Sequence, residues 1–239
     1  MAKSATLVSR TARELVRLSL EREEGEFLGA EEELLQRLGV SRPTLRQAAK
    51  IAENDRFISV RRGIRGGFYA SRPNVDDATR SLARYLRLQG VTLLDVVTVN
   101  RPVSEEAAAL ACACEDEELR ARLERLMADI ETADTVADIV DREQQLSDLI
   151  AEMSENPIIS VFMGITFSFG LEEDRVRLFR DPDHRAQARR MMQSVCRAIL
   201  ERDADIARLM VRRRSTTIGE WVKDNAQARQ AGQASRAIR

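Results

Sequence analysis

At 239 residues, with 44% hydrophobic and 32% charged residues and a formal net charge of −1, the chain has material for one or two folded domains with their own cores. Its longest apolar runs fall far short of the roughly 20 residues of a membrane span, and the opening Met-Ala-Lys-Ser-Ala-Thr-Leu-Val lacks the apolar core of a secretion signal, so a cytoplasmic protein without membrane attachment is expected. Three cysteines without framework spacing argue against disulfides and read as small buried hydrophobes.

The segment Glu21 to Glu33 carries seven glutamates and one arginine. These acids are expected to face away from DNA bound by the basic segment that follows, some of them favouring the N-terminus of a helix beginning at Glu31. Glu31 to Leu38 reads as a short amphipathic helix with Leu34, Leu35 and Leu38 apolar, and Gly39 ends it. Ser41 is a good N-cap and Pro43 is tolerated in a first turn, so a second helix starts at about Arg42. It presents Arg42, Thr44 and Arg46. The two arginines lie four apart on one face, where a guanidinium fork reaches the O6 and N7 of guanine. The pair of helices makes a helix-turn-helix.

Phe57 to Val60 is β-prone and leads through Arg61-Arg62-Gly63-Ile64-Arg65-Gly66-Gly67 into Phe68-Tyr69-Ala70, a hairpin with a basic, glycine-rich turn. A helix-turn-helix followed by a hairpin is a winged helix. From Gln36 to Arg72 nine basic residues stand against Glu53 and Asp55 alone, a net +7 that is the electrostatic footprint of phosphate contact. Ser41, Arg42, Thr44, Arg46, Arg61, Arg62, Gly63 and Arg65 are therefore expected at DNA. Of these, Arg42 and Arg46 are expected at the bases, and Arg61, Arg62 and Arg65 mainly at phosphates or in the minor groove.

Beyond Pro73 the pattern is helical throughout. Asn74 or Asp76 caps a helix to about Gln89, stopped by Gly90; further helices run from Leu93 to about Cys114, Asp116 to Ala133, and Thr135 to Glu155. Ile158 to Gly170, with Phe162, Phe167 and Phe169, reads as a buried central helix. Asp181-Pro182 starts a helix to about Glu201, and Asp203 or Asp205 begins the last one, to about Lys223. The tail after Asn225 is expected to fray.

The stretch from Leu28 to Ala48, Leu-Gly-Ala-Glu-Glu-Glu-Leu-Leu-Gln-Arg-Leu-Gly-Val-Ser-Arg-Pro-Thr-Leu-Arg-Gln-Ala, resembles the winged-helix signature of GntR-family bacterial regulators. The remainder resembles the FCD ligand-sensing domain of that family's FadR branch. Glu105 to Ala111 is similar to its early helix, Ala151 to Pro157 to its middle helix and Ala198 to Ala207 to its last helical pair. The likeness covers about residues 30 to 225. It implies a homodimeric regulator, more often a repressor than an activator, that binds an inverted-repeat operator in double-stranded DNA and answers to a small-molecule effector.

Many FCD domains hold a divalent metal with one Asp and three His. Along the resemblance those positions fall on Glu143, Ser147, Met192 and Arg214, and the family's frequent Arg falls on Asn100, with Arg101 beside it. The chain has a single histidine, His184, so no metal and no other cofactor is expected. Asn100, Arg101, Glu143, Ser147, Met192 and Arg214 are the expected ligand-binding residues. A fixed positive charge with apolar neighbours suits an anionic organic acid or acyl-thioester. Alternatively Arg214 and Glu143 pair internally, side chains fill the cavity, and the helical domain only dimerises an effector-free or architectural DNA-binding protein. In the DNA-binding half, a family phosphate-contacting arginine falls on Glu32 and a usual glycine falls on Arg56, which either replaces that contact or is solvated.

The expected architecture is mainly α. It comprises a winged helix-turn-helix over 1–73, an all-α antiparallel sensor bundle over 74–225 and a disordered tail over 226–239. No phosphate loop, Gly-x-Ser-x-Gly elbow or metal-ligand spacing is present, which argues against an enzyme.

Overall fold

The computed structural model describes residues 6–63, 66–169 and 177–237, with side chains to residue 228. The chain divides into two compact units, 1–77 and 78–239. The division falls inside a helix, a few residues past the expected boundary at 73.

In the first unit, α1 (Leu7–Leu20) precedes β1 (Phe27–Gly29), α2 (Glu31–Leu38), α3 (Arg42–Asn54), β2 (Ile58–Arg61) and β3 (Gly67–Ala70). Thr6 caps α1 by accepting the Ser9 amide, and the helix lays Leu15 and Leu18 against α3. Neither α1 nor β1 was anticipated from the sequence. The three residues of β1 carry no alternation of their own. They become a strand because Phe27 pairs with Tyr69, forty-two positions on, giving an antiparallel sheet in the order β1-β3-β2 instead of a two-stranded hairpin. A Cβ on Gly66 would lie 2.7 Å from the carbonyl oxygens of Arg61 and Gly63, so the wing's turn needs glycine there. Leu34, Leu45, Ile58 and Phe68 join Leu15 in a small separate core.

Arg56 stands at the exit from α3 with φ 63°, a left-handed conformation that favours glycine and costs about 1–2 kcal/mol in other residues. A glycine at the corresponding family position is thereby given a backbone reason. The Arg56 side chain reaches toward Asp77, with Nε 3.6 Å from the carboxylate.

The second unit is helical. Following α4 (Val75–Leu88) come α5 (Leu93–Cys112), α6 (Glu117–Thr132), α7 (Val136–Met153), α8 (Pro157–Phe169), α9 (Pro182–Leu200) and α10 (Ala204–Ala237). Local signals set their starts: Asn74 accepts the Asp77 amide, Thr92 and Thr135 form capping boxes with Asp95 and Asp138, and Asp181 accepts the Asp183 amide ahead of Pro182. Of the two caps considered for the last helix, Asp203 serves, accepting the Ile206 amide. The long α10 packs along α5, and α8 lies against α5 and α7. Leu123, Ile130, Ile139, Leu146 and Ile199 are at the centre of the core.

Two expectations about these helices are corrected. Helix α8 is not wholly buried, because Ile158 and Phe162, four apart, form an exposed edge. An all-round apolar helix gives no sequence clue to which side meets solvent. Helix α10 runs on to Ala237 rather than ending near Lys223 and fraying; Ala, Gln and Arg, all strong helix formers, outweigh the single Gly232. Cys112, Cys114 and Cys196 are free and buried, and burial pushes the Cys196 thiol up to about 12.

Candidate nucleic-acid interface and internal cavity

Ser41 holds the backbone of the first turn of α3, its hydroxyl accepting the Thr44 amide at 3.5 Å and bonding the Thr44 hydroxyl at 2.9 Å. Both side chains are therefore engaged in capping. Arg42 and Arg46 project from the same face, as their spacing requires, but toward α2. Arg46 Nε and Nη2 donate to the two carboxylate oxygens of Glu31 at 2.8 and 3.2 Å, and Arg42 bonds Glu32. Glu31 and Glu32, two of the acids expected to face away from DNA, thus lie against the arginines expected at the bases. In sequence they precede α3, while in space α2 crosses its N-terminal turns. The hydrogen bond from Arg46 holds the Glu31 carboxyl below the usual range, so the pair is charged at neutral pH.

Arg46 and Lys50 of α3 line one groove with Arg61, Arg62 and Gly63 of the wing. Arg61 lies over the Tyr69 ring at 4.0 Å, which steadies its guanidinium at the strand edge. Arg65 falls outside the described residues. Arg72, counted in the basic block, is committed elsewhere, donating to the carbonyls of Ser19 and Arg22 at 3.1 and 2.5 Å. Lys50 was not singled out from the sequence; four positions beyond Arg46, it shares that residue's face.

The helical unit holds a partly open cavity of about 120 Å³. Four helices contribute by simple periodicity, with Val97, Asn100 and Ser104 from α5, Glu143 and Ser147 from α7, Met163 and Thr166 from α8, and Val211, Arg214 and Ile218 from α10, and α9 adds Val195. Asn100, Arg101, Glu143, Ser147 and Arg214 are thereby brought together around one space. Met192 is not among its lining residues and lies fully buried in the core. Of the three phenylalanines of α8, expected to add apolar surface to the cavity, only Phe167 lines it, with Phe179 from outside that helix; Phe169 belongs to a second apolar cluster, with Ala83, Val96 and Ile165. Ser104, Thr166 and Ser215 were missed, although Ser104 lies one helical turn beyond Asn100.

Arg214 and Glu143 form a buried ion pair through Nη2 and Oε2, their side chains 18% and 7% exposed. Burial pulls the Arg214 guanidinium down to about 10, which leaves it charged at neutral pH. Arg101 turns to Glu105, Nε 3.7 Å from the carboxylate, and Glu105 also accepts from Arg212 at 2.6 Å. Asn100 donates from Nδ2 to the Thr166 hydroxyl at 2.7 Å. A divalent metal does not fit here. A guanidinium cation occupies the place of one ligand, Met192 does not line the cavity, and among the described residues no three His, Cys, Asp or Glu gather as a metal site. His184 stacks on Trp221 at 4.1 Å and bonds the Leu178 carbonyl through Nδ1.

The FCD domain family matches residues 95–215, the span that carries every described lining residue from Val97 to Arg214. The chain belongs to the FCD family. Its fold is that of Streptococcus agalactiae GntR, at TM-score 0.65 and 22% identity, with 89% of this chain and 99% of that one aligned. Two further solved structures are more distant. Lar, which controls expression of the agr system in Listeria monocytogenes, aligns at TM-score 0.44 and 18% identity over 93% of this chain and 99% of its own. McbR/YncC of E. coli aligns at TM-score 0.41 and 16% identity over 94% and 97%. No curated protein matches the sequence. Among the described residues, no helix of this FCD protein is long and apolar enough to cross a membrane.

Proposed function

We propose that this FCD protein is a ligand-responsive, sequence-specific DNA-binding regulator, a homodimeric repressor of a metabolic operon. The observation that carries the DNA-binding part is the groove where Arg46 and Lys50 of α3 meet Arg61 and Arg62 of the wing. Glu31 holds the Nε–Nη2 edge of Arg46. The Nη1–Nη2 end of the guanidinium is then the edge oriented for a guanine, with the two donors that bidentate base reading requires. Arg61 and Arg62 sit on the wing, suited to phosphates.

Dimerisation fits an inverted-repeat operator, and the apolar side chains exposed on the helical unit, Leu88, Val99, Ile158 and Phe162 among them, offer surface for a second copy. Repression follows from the GntR resemblance. The effector is a small organic acid. At about 120 Å³ the cavity is well below the ~300–1,000 Å³ of pockets for drug-sized ligands, which favours a free acid over an acyl-thioester. The alternative, an effector-free dimer, draws support from the internal Arg214–Glu143 pair. The unfilled space beside that pair speaks for sensing.

Selection of bound duplexes from a random pool by the purified protein should enrich one inverted repeat, and a small acid that raises the melting temperature should alter its occupancy. Recovery of duplexes without a shared sequence sinks the regulator reading. A melting temperature that no small acid moves favours the effector-free dimer.

A further inference from the structure

The outer face of the wing's sheet holds two aromatic rings and an arginine in contact. Phe27 of β1 pairs with Tyr69 of β3, and Ser59 of β2 pairs with the same tyrosine, so the three side chains point to one face of the sheet. Arg61, two positions after Ser59, shares that face. Ile58 and Phe68 take the other face and enter the small core of the first unit. Phe27 meets Tyr69 edge to face with ring centroids 5.3 Å apart, and the Arg61 guanidinium lies 4.0 Å from the centre of the Tyr69 ring. The Phe27 ring lies across Gly67, where any Cβ would overlap its Cε2. A glycine opposite Arg61 in the β2–β3 register thus gives that ring its place.

This stack adds little to the core. Phe27 is 46% exposed and Arg61 is exposed as well, and a cation over a ring in water is held by a modest attraction. Its main effect is on direction. A free arginine samples many rotamers and gives up that freedom when it binds a phosphate. One laid on a ring has already given up much of it, because the planar guanidinium stacks in few orientations. The ring covers a flat face of the guanidinium and leaves its edge of N–H donors open to an anion. Arg61 is also one of the residues that line the groove with Arg46 and Lys50.

We infer that Tyr69, braced by Phe27, is a positioning residue of the wing: it fixes the Arg61 guanidinium beside the groove, so that the arginine meets a DNA phosphate already ordered. This inference rests on the DNA-binding reading above. It also gives β1 a role, since three residues paired to β3 are what bring Phe27 against Tyr69. Tyr69 carries no charge at neutral pH, so it acts on affinity and not on the number of counterions that DNA releases.

The test is duplex binding by the full chain over a range of salt concentrations, with the selected operator and a random duplex, and with the fold checked by circular dichroism. Tyr69→Leu should weaken both duplexes by about three- to tenfold while the slope of log affinity against log salt stays as in wild type. Arg61→Lys, which keeps the charge and loses the planar stack, should do the same. Tyr69→Phe keeps the ring and should stay within about twofold of wild type. In an Arg61→Ala background Tyr69→Leu should change affinity by less than about twofold. An equal loss from Tyr69→Leu with and without Arg61 overturns the inference, because Tyr69 would then act on the fold or on DNA itself. Unaltered binding by Tyr69→Leu overturns it as well. Phe27→Leu, on the edge strand, supplies the same cycle if Tyr69→Leu does not fold, with a loss of about two- to threefold that Arg61→Ala removes. A wild-type chain that binds no duplex overturns the DNA-binding reading together with it.

Discussion

Two arginine–glutamate pairs, one in each unit, show the same chemistry under opposite conditions. Arg46 and Glu31 join α3 to α2 through two hydrogen bonds with side chains 63% and 31% exposed; Arg214 and Glu143 join α10 to α7 at 18% and 7%. Water solvates the first pair whether or not it forms, so the contact adds little to stability and acts mainly on the direction of the Arg46 side chain. Desolvation dominates the second. Each charge there needs the other, and the pair is fixed once folding is complete. The shifts follow suit: hydrogen bonding by Glu31 raises the Arg46 guanidinium, whereas burial draws that of Arg214 down to about 10. On the proposed reading, a contact that orients a side chain for DNA is placed in water, and a contact that shapes a cavity is placed out of it.

The sharpest way to break the comparison is Glu143→Ala, which leaves a buried guanidinium without its partner. Unfolding by urea should show a loss of about 3–5 kcal/mol. The paired replacement Glu143→Leu with Arg214→Met should recover most of it while abolishing any response to acids, because an apolar pair needs no charge compensation. A single mutant as stable as wild type would mean that water reaches the pair freely.

For the exposed arginine the effect belongs to DNA rather than to folding. Arg46→Ala should weaken binding to the selected operator by about 1–3 kcal/mol and relax its sequence preference, with the fold unchanged by circular dichroism. Arg61→Ala should weaken all sequences alike and lower the slope of log affinity against log salt by about one. Equal losses on specific and random duplexes for Arg46→Ala would move that residue to the phosphates.

The smallest effects are expected at Glu31. Glu31→Gln should alter stability by less than about 1 kcal/mol, yet narrow the ratio of operator to random-duplex affinity by freeing Arg46 from its orientation. Because the folded carboxyl is held below its ordinary value of 4.5, its contribution is present above that value and lost as pH falls through the lower folded value. The wild type should therefore lose slightly more stability in acid than Glu31→Gln does. Incubation with a chelator should change neither melting temperature nor DNA binding, since the Glu143, Ser147 and Arg214 set does not suit a metal.

Much of the fold was legible in the sequence because local chemistry dictates it. Ser41 with Pro43, Thr92 with Asp95, Thr135 with Asp138 and Asp181 with Pro182 mark helix starts within a few residues of the atoms they satisfy. The gathering of Asn100, Glu143 and Arg214 around one cavity was expected from the family resemblance; spacing alone placed each on its helix and no more. Helix α1 escaped notice, although its spacing of Leu15 and Leu18 is a usable signal. Strand β1 carried none, being three residues whose partner lies beyond α3.

What the sequence by itself determined is the starts of helices α2 to α10, the basic block of α3 and wing, and the presence of one histidine where a metal set needs three. Those are matters of short-range caps, periodicity and composition. Only the tertiary structure decided that Glu31 and Glu32 close on Arg46 and Arg42, that Met192 joins the core while Ser104 and Thr166 line the cavity, and that the Arg214–Glu143 pair forms beside open space rather than filling it. Each depends on how two helices cross, and the direction a side chain takes from a helix is known from its own sequence while what it meets is not.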